Sequence, residues 1–147
     1  MNEDAAPPPP VLVSPPVGEA LPIVVDSPHS GRWYPPDFGA AAPLDLLRQG
    51  EDLYIDRLWA NAPQVGATLI AAQFPRAYID PNRVLADIDE ALLDARWPGP
   101  VAPGPKTALG IGLVWRMLGE QPIYGRRLSV AEVQRRIDRC WAPYHAA

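Results

Sequence analysis

The sequence has few of the features that mark secreted or membrane proteins. It contains one cysteine, Cys140, which excludes an intrachain disulfide framework. No apolar run approaches the roughly 20 residues that span a bilayer. The N-terminus is acidic and lacks the basic region that begins a secretory signal. We therefore predict a reducing, cytoplasmic setting and no membrane partner.

Positive charge is also scarce and dispersed. The net charge is -4, and the arginine doublets are confined to Arg126/Arg127 and Arg135/Arg136. A protein that binds nucleic acid needs a basic stripe that follows the phosphate backbone. The sequence therefore predicts no nucleic-acid partner.

Proline, in contrast, is abundant, and its 20 residues are clustered. Residues 1–18 predict a proline-rich, disordered tail, and residues 96–110 predict a long loop. The hydrophobic content of 48% is typical of a globular protein with its own core. We therefore assign one domain to residues 19–147.

His29 directly follows an apolar run at residues 21–25, which is rich in β-branched side chains. Such a run is typical of a strand buried on both faces, and the turn formers at 26–31 end it. In open α/β sheets, ligands bind outside the carboxyl ends of strands. His29 is thus a candidate site residue, although a hydrogen-bonded structural histidine would fit the same pattern.

Helical and extended patterns alternate along the rest of the chain. We predict a helix over 51–62, a strand over 67–74, a short helix over 87–95 and a glycine-bearing strand over 108–116. The last helix begins at a capping box formed by Ser129 and Glu132, and Pro143 should bend or end it. The alternation predicts an α/β fold with a mixed, mostly parallel sheet flanked by helices.

Three polar clusters lie at the ends of predicted elements: His29, the pair Glu51/Asp52, and Arg76 with Asp80, Asn82 and Arg83. Histidine nitrogen and carboxylate oxygen are zinc ligands, and arginine and asparagine donors can bind a carboxylate or polarise a carbonyl. The acids could instead compensate a helix dipole, and the arginines could form surface ion pairs. Spacing leaves both interpretations open, because HxxH, HExxH and paired-cysteine motifs are absent.

Five segments, taken in order, form a more specific pattern than any one of them alone. They are SPHSGRWYP at 27–35, EDLYIDRL at 51–58, RAYIDPNR at 76–83, IY at 123–124 and EVQRRIDRCWAPYH at 132–145. Together they resemble the N-formylglutamate amidohydrolases, which are zinc-dependent hydrolases related in fold to metallocarboxypeptidases and aspartoacylases. The resemblance runs from about residue 19 to the C-terminus. It implies a zinc-carboxypeptidase-like (phosphorylase/hydrolase-like) fold.

The resemblance also implies a metal site and a reaction. His29 matches the first zinc ligand and Asp52 the acidic position that begins the second motif, with Glu51 as a weaker alternative. The implied reaction is the hydrolysis of N-formyl-L-glutamate to formate and glutamate, a step of histidine degradation.

The substrate residues are implied by position in the third motif. Arg76 matches the arginine that polarises the scissile carbonyl, and Asn82 and Arg83 match the residues that hold the carboxylate of the substrate. His145 matches a histidine that recurs in the family, to which we assign no role. The implied substrate is therefore a small N-acylated acidic amino acid.

The family pattern extends beyond the motifs found here. Its second half supplies a further histidine ligand and a glutamate that acts as general base, and neither is found after His145; Arg32 replaces the acid of the related HxxE pattern. We therefore expect a partial domain that is inactive or incomplete as a 147-residue chain, and that self-associates or needs a complementing chain. Two alternatives stay open, a hydrolase of another N-acylated acidic amino acid or peptide, and a non-catalytic carboxylate-binding module.

Overall fold

Short strands and helices joined by long loops make up residues 7–147, the part of the chain that this computed structural model describes. The strands are β1 (Val11–Ser14), β2 (Val24–Ser27), β3 (Thr68–Ala72), β4 (Met117–Leu118) and β5 (Gln121–Pro122). The helices are α1 (Leu44–Leu47), α2 (Ile55–Leu58), α3 (Pro105–Ala108), α4 (Val130–Arg136) and α5 (Ala142–Ala146). A π-helical segment, Ile137–Trp141, joins α4 to α5, and short 3-10 turns cover Arg48–Gly50, Ala62–Val65 and Glu90–Leu92.

The larger sheet has the strand order β1-β3-β2. β1 pairs with β3 in antiparallel fashion, and β2 pairs with β3 in parallel fashion, so that Val13 and Asp26 both lie opposite Ile70. β4 and β5 form a separate antiparallel hairpin. The predicted α/β class with a mixed sheet is confirmed. The described sheet is not mostly parallel, however, because β1 adds an antiparallel pairing.

β1 lies inside the segment that the sequence assigned to a disordered tail. That prediction is wrong for Val11–Ser14, whose apolar pattern pairs with β3, and the ladder continues where Gln73 donates its N–H to the Pro10 carbonyl (2.9 Å). The surrounding prolines obscured this short strand in the sequence. Residues 1–6 lie outside the described residues, and the division of the chain into 1–18 and 19–147 stays a prediction.

β2 is an exposed edge, whereas the sequence predicted a strand buried on both faces. Val24 is 63% exposed, and Leu21 and Ile23 are also exposed. Val25 alone packs inward, against the small cluster that contains Leu69. Among the described residues, no strand pairs with the second edge of β2. The apolar run therefore lacks a neighbour on one side.

Three other predicted elements differ from the structure. The helix expected over 51–62 is reduced to α2, because Tyr54 adopts a left-handed conformation (φ 68°) that interrupts it. The acidic pair at 51–52 therefore precedes the helix instead of beginning it. The short helix expected over 87–95 is only the 3-10 turn Glu90–Leu92. The strand expected over 108–116 is a loop with a single bridge between Ile111 and Trp115.

The C-terminal helix forms as predicted at its start. Ser129 accepts a hydrogen bond from the Glu132 N–H (3.2 Å), and the Glu132 carboxylate accepts one from the Ser129 N–H (2.8 Å), which confirms the capping box. Pro143 does not end the helix, which continues to Ala146. The π-helical segment directly before Pro143 accommodates its ring and its missing N–H.

The core lies between this helix and the loops that follow β3. Its most buried apolar side chains are Phe74, Ile79, Leu113, Ile123, Leu128 and Val133. Arg136 is buried among them and donates hydrogen bonds to the carbonyls of Phe38 (3.0 Å) and Tyr78 (3.0 Å) and to the hydroxyl of Tyr124 (2.7 Å). The guanidinium thus joins four segments of the chain. None of the helices within 7–147 is long and apolar enough to cross a membrane.

Candidate active site

His29 lies in a tight turn directly after β2. The hydroxyls of Ser27 and Ser30 are 2.7 Å apart, and the His29 carbonyl accepts a hydrogen bond from the Asp52 N–H (3.1 Å). Gly31 lies against the backbone that follows β3, where a Cβ would collide. These contacts bury His29 and fix the turn, so that its ring projects between two neighbouring segments.

Both nitrogens of the His29 ring face a carboxylate. Nδ1 lies 3.0 Å from Oδ2 of Asp52, and Nε2 lies 2.9 Å from Oδ1 of Asp80. The Asp52 side chain is half exposed, whereas that of Asp80 is fully buried. One ring nitrogen therefore faces an accessible carboxylate, and the other faces a carboxylate inside the protein.

Asp80 also binds Arg76 and the turn that follows it. Its Oδ2 accepts hydrogen bonds from Arg76 Nη2 (3.0 Å) and Nε (3.3 Å), and its Oδ1 accepts one from the Asn82 backbone N–H (2.9 Å). Burial alone would raise the pKa of Asp80, but the hydrogen bond with His29 and the charge of Arg76 outweigh it and place the pKa below its ordinary value. Asp80 is therefore ionised at neutral pH and can accept a hydrogen bond from Nε2 of His29.

Three residues contact the guanidinium of Arg76. Besides Asp80, its Nη1 lies 3.6 Å from Oδ2 of Asp52, and its guanidinium carbon lies 4.8 Å from the ring centroid of Trp115. The structure thus brings together three of the predicted site residues: His29, Asp52 and Arg76.

Asn82 and Arg83 follow this cluster but do not contact His29. The Asn82 side chain is exposed and has no hydrogen bond to another described residue. Arg83 donates from Nε to the Ile111 carbonyl (3.3 Å) and lies 3.6 Å from a carboxylate oxygen of Asp87. Both side chains are at least partly accessible, which a ligand contact would require.

Glu51 lies next to Asp52 in sequence but has different contacts. Its Oε1 accepts a hydrogen bond from the Tyr34 hydroxyl, whose pKa is raised by burial and by this carboxylate. Its other oxygen is buried and has no partner among the described residues. The geometry therefore favours Asp52 over Glu51 as the acid beside His29.

His145 supports the same turn from the C-terminal helix. Its Nε2 donates to the Pro81 carbonyl (2.8 Å), and its ring packs on Trp141, whose indole donates to the Arg83 carbonyl (2.9 Å). His145 thus contacts the backbone between Asp80 and Asn82. These contacts give His145, to which the sequence assigned no role, the structural role of holding this turn.

The donors around His29 fit part of a zinc site. Imidazole nitrogen and carboxylate oxygen are zinc ligands, and bonds of about 2.0–2.2 Å place tetrahedral ligands roughly 3.4 Å apart, somewhat more than the observed 3.0 Å between Nδ1 and Asp52 Oδ2. Asp80 on Nε2 is the carboxylate partner that zinc-binding histidines usually have. Within residues 7–147 no group of three or more histidine, cysteine, aspartate or glutamate side chains could hold a metal. His29 and Asp52 are therefore two candidate donors, fewer than the three protein ligands that a catalytic zinc commonly has.

Sequence reasoning gave no role to two residues of this site. Asp80 was visible as part of a polar turn, and its position four residues after Arg76 was a weak signal for their pairing. Trp115 lies in a distant loop, and no sequence pattern marked it as a residue of the site.

Comparison with known proteins identifies the family to which this chain is similar. A family model described as N-formylglutamate amidohydrolase matches residues 21–147. The crystal structure of an N-formylglutamate amidohydrolase from Ralstonia eutropha JMP134 is 58% identical, has a TM-score of 0.91 and matches 94% of this chain. The match covers 50% of that protein, so this chain spans about half of its length. A search of curated proteins gave no match.

Proposed function

Because the chain belongs to the N-formylglutamate amidohydrolase family, we propose that it forms part of a zinc-dependent hydrolase that converts N-formyl-L-glutamate to formate and glutamate. The observation that carries this proposal is the His29 ring between Asp52 and Asp80, with Arg76 bound to both carboxylates. A partial zinc-carboxypeptidase-like domain is the corresponding proposal for the fold.

We assign the metal to Nδ1 of His29 and to the Asp52 carboxylate. Zinc bound there would act as a Lewis acid on the amide carbonyl and on water. With zinc bound, Asp80 would accept a hydrogen bond from the proton of Nε2, which would leave the lone pair of Nδ1 for the metal. Its buried negative charge also compensates the positive charge of Arg76.

Arg76, Asn82 and Arg83 would bind the substrate. Arg76 has Nη1 directed to the Asp52 side of the site, where it can donate to the oxygen of the scissile carbonyl as negative charge develops. Asn82 and Arg83 would bind the substrate carboxylate, since the amide is exposed and the guanidinium is only partly buried. A substrate carboxylate would form charge-assisted hydrogen bonds with these donors that an uncharged analogue cannot form, which would favour acidic substrates.

We infer that the described residues supply only part of a catalytic site. A catalytic zinc commonly has three protein ligands, and the described residues supply two. The second edge of β2 has no described partner, and His29 follows that strand directly. We therefore propose that the 147-residue chain is inactive alone and that a complementing segment or chain pairs with β2.

Zinc binding and formate release test both statements. We expect the purified chain to bind zinc weakly, Asp52→Asn to weaken binding about tenfold or more, and Glu51→Gln, the matched control, to leave zinc affinity unchanged. We expect no formate release from N-formyl-L-glutamate. Tight stoichiometric zinc with hydrolysis by the chain alone would overturn the proposal of an incomplete site.

Two alternatives keep the same carboxylate-binding residues. A different acyl group, such as acetyl or succinyl, would identify a hydrolase of another N-acylated acidic amino acid or peptide. The presence of only two described metal ligands favours a second alternative, a non-catalytic carboxylate-binding module. Assays of acyl release in the presence of the complementing segment separate the two, because a binding module would bind acidic ligands without hydrolysing them.

A further inference from the structure

One loop touches three residues of the candidate site. In the segment 110–117, the Leu113 carbonyl accepts the backbone N–H of Asp80 (2.8 Å), and the Ile111 carbonyl accepts from Arg83 Nε (3.3 Å). From the same loop, the Trp115 ring lies 4.8 Å from the guanidinium carbon of Arg76. The loop therefore contacts both arginines that we assign to substrate binding.

The loop is tightly closed by its own backbone. The N–H groups of Arg116 (2.7 Å) and Met117 (3.1 Å) both donate to the Gly110 carbonyl. Gly110 has a φ of 78°, which a glycine adopts without strain. A Cβ on Gly112 would lie 2.8 Å from the Asp87 carbonyl oxygen, so the loop also packs closely on its neighbour. Such a loop can hold side chains in a fixed geometry.

Trp115 links Arg76 to the turn that precedes Asp52. The indole is buried, and it packs so closely on Gly50 that a Cβ there would lie 2.9 Å from the ring. Its Nε1–H has no hydrogen-bond partner among the described residues. A phenylalanine would fill an apolar core without burying an unpaired donor, so packing alone does not explain an indole at this position.

We propose that the 110–117 loop is the positioning element of the site and that Trp115 is a positioning residue for Arg76. The indole lies over the guanidinium and keeps its donors near Asp80 and Asp52, while the Ile111 carbonyl independently holds Arg83. The loop thereby sets the spacing between the arginine for the acyl carbonyl and the arginine for the carboxylate. This inference rests on the proposed function.

The test compares Trp115→Leu and Trp115→Phe with Trp97→Leu in the full 147-residue chain. Trp97 is a similarly buried indole of the core that has no contact with either arginine, so it controls for lost packing. Calorimetry measures the affinity of each protein for N-formyl-L-glutamate and for L-glutamate, which lacks the acyl carbonyl. NMR measures the Arg76 side-chain protons, which ring current from a stacked indole moves upfield.

We expect Trp115→Leu to weaken N-formyl-L-glutamate about tenfold and L-glutamate hardly at all, because a cation–π contact is worth about that factor. Trp115→Phe should recover only part of the affinity, because a phenyl ring makes a weaker cation–π contact than an indole, and Trp97→Leu should leave both affinities unchanged. The upfield shift of Arg76 should be present in the wild type and absent in Trp115→Leu.

An unshifted Arg76 in the wild type, or equal losses for both ligands in Trp115→Leu, would overturn the positioning role. The Arg76 shift does not depend on the proposed function, whereas the comparison of affinities requires that the wild type binds both ligands. If the wild type bound neither ligand while Arg76 showed the ring-current shift, the proposed function would fail, and the stacked arrangement would stand without a substrate role.

Discussion

The two sides of the His29 turn differ in how completely they are packed. On one side, the segment 74–83 and the C-terminal helix bury Phe74, Ile79 and Asp80 almost completely. On the other side, β2 and the segment 53–65 leave large apolar side chains exposed, including Leu58 at 73% and Val65 at 70%. Folded monomers rarely leave so many large apolar side chains exposed on one side. The second side therefore resembles an interaction surface.

This difference also separates the roles of the site residues. Asp80 and Arg76 are anchored in the packed side, whereas Asp52 lies on the open side, two residues before the left-handed Tyr54. Backbone strain in a non-glycine residue persists where surrounding contacts determine it, and it is common at functional sites. The packed side therefore fixes the histidine and the arginine, and the open side presents the accessible carboxylate of Asp52.

On the packed side, substitution of Arg136 should lower the free energy of unfolding the most. Replacing Arg136 with Met leaves the carbonyls of Phe38 and Tyr78 and the hydroxyl of Tyr124 without their buried donor. We expect the free energy of unfolding, measured by urea denaturation, to fall by about 4 kcal/mol. The exposed neighbour Arg135→Met should change it by less than about 0.5 kcal/mol. Equal effects of the two variants would contradict the buried guanidinium cluster.

Substitution of Asp80 should cause the next largest loss of stability, because Asp80 is the buried acceptor for both His29 and Arg76. Asp80→Asn retains the shape but loses the charge, and we expect about 2 kcal/mol less stability at pH 7. The accessible Asp52→Asn, on the open side, should cost about 0.5 kcal/mol or less. A larger loss for Asp52 than for Asp80 would reverse the assignment of packed and open sides.

The proximity of the predicted site residues followed the sequence more closely than the elements around them did. His29, Asp52 and Arg76 could be proposed because they lie in short motifs that resemble those of a family, and their roles stay predictions. Their contact spans distant segments, which no local pattern encodes. Trp115 had no signal for the same reason, since its importance is a contact with Arg76 and not a motif.

The errors about the fold have identifiable physical causes. The apolar run before His29 predicted a buried strand, but burial depends on a neighbouring strand that the described residues do not contain. The pattern over 51–62 has helical spacing, yet Tyr54 interrupts it. The capping box at Ser129 and Glu132 was predictable because its contacts are local.

Glu132 gives a smaller, pH-dependent effect on the packed side. Its hydrogen bond with Arg126, opposed by burial and assisted by Ser129, lowers its pKa to about 2. Because the folded pKa is below the ordinary value of 4.5, the stabilisation is complete above pH 4.5 and is lost as the pH falls through about 2. Glu132→Gln should therefore cost about 1 kcal/mol at pH 7 and much less near pH 2. Urea denaturation across this range tests the expectation, with Glu120→Gln, an exposed acid, as control.

The open side should respond least in stability and most in association. Val24 lies on the unpaired edge of β2, where a lysine would remain solvated and disfavour pairing with another strand. We expect Val24→Lys to change the free energy of unfolding by less than about 0.5 kcal/mol but to reduce self-association, measured by sedimentation velocity. Leu109→Lys, a comparably exposed apolar residue away from β2, should leave self-association unchanged. A wild-type chain that sediments as a monomer at all concentrations would show that the exposed edge does not mediate self-association. An equal effect of Leu109→Lys would show that added charge, rather than the edge of β2, controls association.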